Sequence, residues 1–252
     1  MSESIIGIIP ARWASSRFPG KPLADIAGKP MIQWVVERAN QANTLSDVIV
    51  ATDDERIQHA VQAFGGQAVM TPSDMASGTD RVAYVARDLK VDAVVNIQGD
   101  EPLIDPKSID VLVKTLLQET STRMATLVRR ISDSEDLDNP NSVKVVLDIY
   151  NNALYFSRAA LPFARDISKK MWALQFPYYE HIGMYAYRKT FLLELTELPL
   201  STLEQAEKLE QLRVLENGFK IKVGIVDDKP VGVDVPEDIV RVEKRIKELD
   251  IT

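Results

Sequence analysis

Cysteine is absent from this 252-residue sequence, which excludes a disulfide framework and any thiolate metal site. Histidine is scarce: only His59 and His181 could serve as imidazole ligands, so a bound metal would be held mainly by oxygen. No apolar run approaches the length of a membrane span, and the opening MSESIIGIIPAR starts acidic and lacks the basic region of a secretion signal. The expectation is a cytoplasmic protein with no membrane partner. Positive charge is in deficit as well, with a net charge of −7. The sequence-independent attraction to phosphate backbones is therefore missing, and no nucleic-acid partner is expected.

What is present suits a globular chain with a sizeable core: 45% of residues are hydrophobic and 27% charged. Ile5–Ile9, Val48–Ala51, Ala68–Met70 and Ala93–Ile97 are short apolar runs rich in β-branched residues. Between them, Met31-Ile32-Val35-Val36-Ala39, Ile57-Ala60-Val61-Phe64 and Val82-Val85-Ala86-Leu89 repeat at helical spacing. This alternation predicts an α/β fold with a mostly parallel central sheet. Beyond Met124 the rhythm changes. Met124–Val128, Val143–Leu147, Ala153–Phe156 and Ile182–Tyr187 read as strands with few helices between them, a smaller mixed, strand-rich lobe over roughly 124–190. Helices are expected again at about Leu203–Glu216 and Pro236–Leu249, and Ala164–Phe176 reads as a mobile loop.

Ligands of open α/β sheets bind beyond the carboxyl ends of the strands. Those ends read Pro10-Ala11-Arg12, Thr52-Asp53-Asp54, Thr71-Pro72 and Gln98-Gly99-Asp100-Glu101-Pro102. The first opens a loop, PARWASSRFPGKPLADIAGKP, with two arginines and two Gly-Lys-Pro triplets. A Walker phosphate loop is excluded, since that pattern wants glycine at Ser15 and a hydroxyl residue at Pro22. The chemistry survives: Gly20 allows close backbone approach to an anion, Lys21 is a point charge, and Arg12 and Arg17 are planar forks. The alternative is a solvated surface loop. Gly28-Lys29-Pro30 reads as a turn before the helix at Met31.

Residues Pro10–Leu23 resemble the signature loop of the sugar-acid cytidylyltransferases, and closely that of the 3-deoxy-manno-octulosonate (KDO) enzymes, the CMP-KDO synthetases. Further stretches agree in order: Ala51-Thr52-Asp53-Asp54, Ser77-Gly78-Thr79-Asp80-Arg81, Asn96–Pro102, Ala153–Arg158, His181-Ile182-Gly183, Leu209–Arg213 and Gly232–Asp238. The resemblance runs almost end to end. It implies a single Rossmann-like nucleotidyltransferase domain over 1–252, whose lobe at 124–190 serves sugar binding and the contacts of a homodimer. It also implies Arg12 and Lys21 on the triphosphate of CTP, Arg17 supporting them, and Ala11, Ser15, Ser77, Gly78 and Gln98 as further nucleotide contacts. Mg²⁺ would be held by Asp100 and Asp234, which with Lys21 would form the catalytic set. Unaided, Asp234 reads first as a helix cap, and it is the resemblance that moves it to the metal. Asp53 and Glu101 are supporting acids.

For KDO, a carboxylated and polyhydroxylated acid, the family-matched positions are Arg158, His181, Tyr185, Glu210 and Gln211, with Gln98 between sugar and base. Met75-Ala76 departs from the histidine and polar residue often found before Ser77-Gly78 in the KDO enzymes, which opens the choice between KDO and an 8-substituted octulosonate. The implied reaction joins CTP and the sugar acid into a CMP-sugar for lipopolysaccharide synthesis, with release of pyrophosphate. Two other readings stand beside it. A nucleotide-sugar glycosyltransferase usually shows Asp-x-Asp where this chain has Gln98-Gly99-Asp100, and an inactive nucleotide sensor would have lost the acids that are kept here.

Overall fold

The computed structural model describes residues 3–14, 17–132 and 134–251. The chain divides into two units, Met1–Asp110 with Pro230–Thr252, and Val111–Lys229.

The first unit opens with β1 (Ile5–Ala11), whose apolar run is buried almost throughout, as a strand covered on both faces must be. A hairpin of β2 (Asp25–Ile26) and β3 (Lys29–Pro30) follows. Its two linking residues, Ala27 and Gly28, are both left-handed, with φ of 51° and 83°, the geometry of a tight two-residue turn. Gly28-Lys29-Pro30 therefore does form the turn before a helix. The alternation then proceeds as the periodicity predicts: α1 (Met31–Ala39), β4 (Asp47–Thr52), α2 (Glu55–Ala63), β5 (Gln67–Met70), α3 (Gly78–Arg87), β6 (Ala93–Asn96) and α4 (Pro106–Leu117). The strands lie in the order β6-β1-β4-β5, all parallel. Register places Ala11 beside Thr52 and Thr52 beside Met70, so the strand ends line one edge of the sheet.

In the second unit β7 (Met124–Arg130) is followed by the short α5 (Ser134–Asp138), then β8 (Lys144–Leu147), β9 (Ala153–Ser157), the single turn α6 (Trp172–Gln175) and β10 (Tyr179–Arg188). Next come α7 (Lys189–Thr196), α8 (Thr202–Glu207), α9 (Gln211–Glu216) and β11 (Lys222–Val226). Here β10 pairs antiparallel with β7 and β8, β8 pairs antiparallel with β9, and β11 runs parallel to β7.

Two expectations change in this unit. The helix expected at 203–216 is two helices, because Lys208 caps α8 in the left-handed region (φ 55°) and the chain restarts at Gln211. The Ala164–Phe176 segment is not plain loop. It holds a 3₁₀ turn and α6, and buries Ala164, Trp172 and Ala173 against Ile131, Leu137 and Tyr178.

The chain returns to the first unit through α10 (Asp238–Leu249), which begins two residues later than expected. Its Val242 and Ile246 pack on Ile26, Met31, Trp34, Leu103 and Val233. Trp34 Nε1 donates to Ile26 O at 2.8 Å, so the buried indole leaves no polar atom unpaired. This small core fixes Val233, and with it the neighbouring Asp234.

Candidate active site

The loop after β1 is shaped by Trp13 and Gly20. Gly20 has φ 71°, its N–H donates to Trp13 O at 3.1 Å, and a Cβ there would sit 2.9 Å from the Trp13 ring. No other residue meets both demands cheaply. The outer face of the indole carries the Arg56 guanidinium, 3.4 Å from the ring centroid, at the start of α2. So clamped, the loop turns into a 3₁₀ segment, Lys21–Leu23, that delivers Lys21 to the strand ends.

There the Lys21 ammonium donates to Asp100 Oδ2 at 2.7 Å and to Val233 O at 2.8 Å. Val233 N–H in turn donates to Asp100 O at 2.9 Å, which ties the segment before α10 to the turn after β6. That turn needs glycine at position 99, where a Cβ would meet Pro10 O at 2.9 Å. Arg17 pairs with Asp234 Oδ1 at 2.9 Å, largely in solvent. Asp234 is not the helix cap. Glu237 stands at the cap position without a side-chain bond, and Asp238, in the first turn of α10, accepts N–H bonds from Asp234 (2.8 Å) and Val235 (3.1 Å) ahead of the helix that hold its carboxyl below the usual carboxylate value.

These groups line a cavity of about 310 Å³ that also contains Ala11, Arg12, Ser77, Gly78 and Gln98. Nine of the ten sequence-predicted nucleotide and metal positions thus meet in one place; Ser15 lies outside the described residues. Met75 and Ala76, the departure noted in the sequence, line the same cavity. Ser77 caps α3 through a reciprocal box: its hydroxyl oxygen accepts from Asp80 N–H at 3.1 Å, and Asp80 Oδ2 accepts from Ser77 N–H at 3.0 Å. Sequence reasoning quoted Arg81 but gave it no role. It is 3% exposed and pairs with Asp53 at 2.9 Å.

Two carboxylates, Asp100 and Asp234, on a cavity lined with phosphate-type cations are a donor set that fits Mg²⁺, which takes one or two carboxylates and leaves its other positions to substrate and water. Among the described residues there is no cluster of three or more acidic or histidine side chains.

In the second unit, His181 and Tyr185 project from β10 with ring centroids 5.4 Å apart, and Phe156 stands edge-on to His181 at 5.1 Å. Desolvation among these rings drives the His181 pKa down to about 3, and its Nε2 lies 2.9 Å from Thr126 Oγ1. The same burial, reinforced by the charge of Glu210, pushes the Tyr185 phenol up. Both rings are therefore neutral hydrogen-bonding groups at ordinary pH. Gln211, at the start of α9, is 4% exposed and keeps its Nε2 buried with no partner among the described residues. Thr126 was missed in the sequence because a threonine inside a β-strand carries no signal.

Arg158 differs from a free carboxylate receptor. Its side chain donates to the carbonyls of Glu207 (2.8 Å), Pro140 (3.0 Å) and Lys208 (3.4 Å), while its N–H and the Ser157 hydroxyl are held by the Glu207 carboxylate at 3.0 and 2.6 Å. It grips the break between α8 and α9 that presents Glu210 and Gln211.

Comparison with known proteins places these observations. The sequence pattern of the cytidylyltransferase family matches residues 6–221. A 3-deoxy-manno-octulosonate cytidylyltransferase of Parabacteroides distasonis is 53% identical over 240 residues, covering 93% of this chain and 94% of its own. An 8-amino-3,8-dideoxy-manno-octulosonate cytidylyltransferase of Shewanella amazonensis is 52% identical over 244 residues, covering 95% and 97%. A solved CMP:2-keto-3-deoxy-manno-octonic acid synthetase complexed with CTP is 43% identical with a TM-score of 0.91, over 98% of this chain and 99% of that one.

Proposed function

Because the chain belongs to the cytidylyltransferase family, we propose that it joins CTP to a 3-deoxy-manno-octulosonate, giving the CMP-sugar and pyrophosphate. The observation that carries this reading is the cavity in which Arg12, Arg17 and Lys21 stand beside Asp100 and Asp234. A nucleoside triphosphate is polyanionic at one end, and a preorganised set of cations is the chemistry that holds it and stabilises its departing pyrophosphate.

In the reaction the anomeric oxygen of the sugar acid bonds to the α-phosphorus in line, and the bond from that phosphorus to the α,β-bridging oxygen breaks. The electron pair leaves with pyrophosphate and the hydroxyl proton is lost to solvent. No protein nucleophile is required. Lys21 and the arginines bind and orient the phosphates, and Ser77 and Gly78 face the base. Asp100 and Asp234 would hold Mg²⁺, whose charge offsets that of the phosphate oxygens when bound.

The sugar acid is held by side chains of the second unit. Tyr185 and Gln211 donate to hydroxyls, Glu210 accepts from them, and His181 contributes an uncharged imidazole. The orphaned Gln211 amide nitrogen supports this role, since a buried donor without a partner is costly unless a ligand satisfies it. Arg158 supplies the positive charge for the carboxylate while it anchors this wall. Both KDO and its 8-substituted forms belong to the substrate class, in keeping with the two kinds of relative. The enzyme works as a cytoplasmic homodimer, and Ile149, Tyr150 and Leu154, respectively 90%, 68% and 58% exposed around the β8–β9 hairpin, offer apolar surface to a second copy.

Mass spectrometry of the product formed from CTP with a panel of octulosonates, other 2-keto sugar acids and simple sugar phosphates tests the assignment. A CMP conjugate of an octulosonate supports it; a conjugate of a sugar phosphate alone would replace it.

A further inference from the structure

The cavity wall formed by Met75, Ala76, Ser77 and Gly78 carries no charge and the neighbouring Arg81 is paired with Asp53, whereas Arg12, Arg17 and Lys21 come from the loop after β1. A nucleoside triphosphate matches this division only with its phosphates on the cations and its base against the neutral wall. That wall belongs to a segment joining β5 to α3, and Arg81 staples the segment's two ends together. From the first turn of α3 its guanidinium reaches back to the segment's start, donating to Thr71 Oγ1 and to Pro72 O at 3.3 Å, and further back to Asp53 Oδ2, just after β4, at 2.9 Å. Thr71 is fixed in turn, donating through N–H (2.8 Å) and Oγ1 (3.0 Å) to Thr52 O at the end of β4.

The pair is expensive for a mere staple. Arg81 and Asp53 side chains are only 4% and 11% exposed, and Asp53 Oδ1 is buried with no partner among the described residues. Well-packed apolar side chains of similar volume stabilise such a position equally well or better. What the planar fork supplies is geometry: one rigid group at the far end of the wall binds three acceptors beyond two strand ends, which ties the wall's end to its beginning.

We infer that Arg81, held by Asp53, is a positioning residue that sets the base-facing wall of the cavity and thereby the choice of cytosine over uracil. This rests on the nucleotide reading above and deepens it. The two bases differ in the donor and acceptor pattern of one edge, so discrimination depends on where the polar groups of the wall stand. Lysine at position 81 keeps the charge but cannot span the three acceptors. Asparagine at position 53 keeps the shape but loses the charge that orients the fork.

The test is calorimetric titration of CTP and of UTP into the wild type, Arg81→Lys, Asp53→Asn and the double variant, with thermal unfolding recorded for each. Because it reads binding, it does not depend on the transfer reaction: a wild type that binds CTP selectively without turnover would sink the proposed reaction and leave this inference standing. The expected result is a wild-type preference for CTP that falls by about tenfold or more in either folded variant, with the double variant no worse than Arg81→Lys because the two side chains act as one unit. If Arg81→Lys does not fold, Asp53→Asn decides alone. A wild type without preference would overturn the inference. So would folded variants that keep the preference or lose affinity for both nucleotides in equal proportion.

Discussion

The Lys21 ammonium lies 2.7 Å from the Asp100 carboxylate, joining the loop after β1 to the turn after β6. The pair is partly buried, with 15% of the lysine side chain exposed. It sets the cation for the polyphosphate beside an acid proposed for the metal. Lys21→Ala is expected to cut turnover by about 10²–10³, the usual loss when one preorganised stabilising group is removed from a developing charge. Circular dichroism of the variant should match the wild type. Unchanged pyrophosphate release would remove Lys21 from the phosphate site.

Asp100→Asn and Asp234→Asn keep the side-chain shape and remove the charge that a hard cation needs. Each variant is expected to weaken Mn²⁺ binding in the presence of CTP, read by paramagnetic resonance, and to abolish Mg²⁺-dependent turnover. Asp238→Asn is expected to leave metal binding intact and to lower the melting temperature, because its carboxylate caps backbone N–H groups of Asp234 and Val235. Equal metal binding by Asp234→Asn and wild type would withdraw Asp234 from the metal.

Much of the first unit was legible in the sequence because its signals are local. Short β-branched runs alternate with helical periods, and the polar strand ends fall on one edge once the sheet is parallel. The resemblance then named the residues that the cavity gathers. What was hidden depends on long-range or conformational choices. The apolar period runs on through Leu209 and Leu212, so nothing in the residue types marks the left-handed turn at Lys208 that splits the helix. The carbonyl grip of Arg158 joins residues up to 50 positions apart, and the division of labour between Asp234 and Asp238 turns on which carboxylate faces the backbone. Lys222–Val226, a five-residue strand paired to β7, passed unnoticed because a short run without alternation reads equally as loop.

His181 links stability to pH. Its pKa falls from 6.5 to about 3 on folding, so in that window the unfolded chain binds a proton that the folded protein does not. Stability therefore rises with pH between about 3 and 6.5 and is lost on acidification. Urea midpoints measured from pH 7 to pH 4.5 should fall more steeply for the wild type than for His181→Gln. Asp238 acts lower, below its ordinary value of 3.8, and does not mimic the effect. Parallel slopes for the two proteins would show an imidazole that is not desolvated.

Arg213 and Glu204 form a two-point ion pair at 2.7 and 2.5 Å with both side chains about 10% exposed. Glu204 also closes the capping box of α8 on Ser201. Removing one partner strands the other charge, so Arg213→Ala is expected to cost about 3–5 kcal/mol in chemical denaturation. A loss below about 1 kcal/mol would be that of an exposed pair.

The central claim is tested most directly by pyrophosphate release from CTP, with Mg²⁺, in the presence and absence of a 3-deoxy-manno-octulosonate. The account predicts release only when both substrates are present, in equal amount to the CMP-sugar formed, and little or none when UTP replaces CTP. Release without the sugar acid, or none with KDO and its 8-amino form alike, would contradict it.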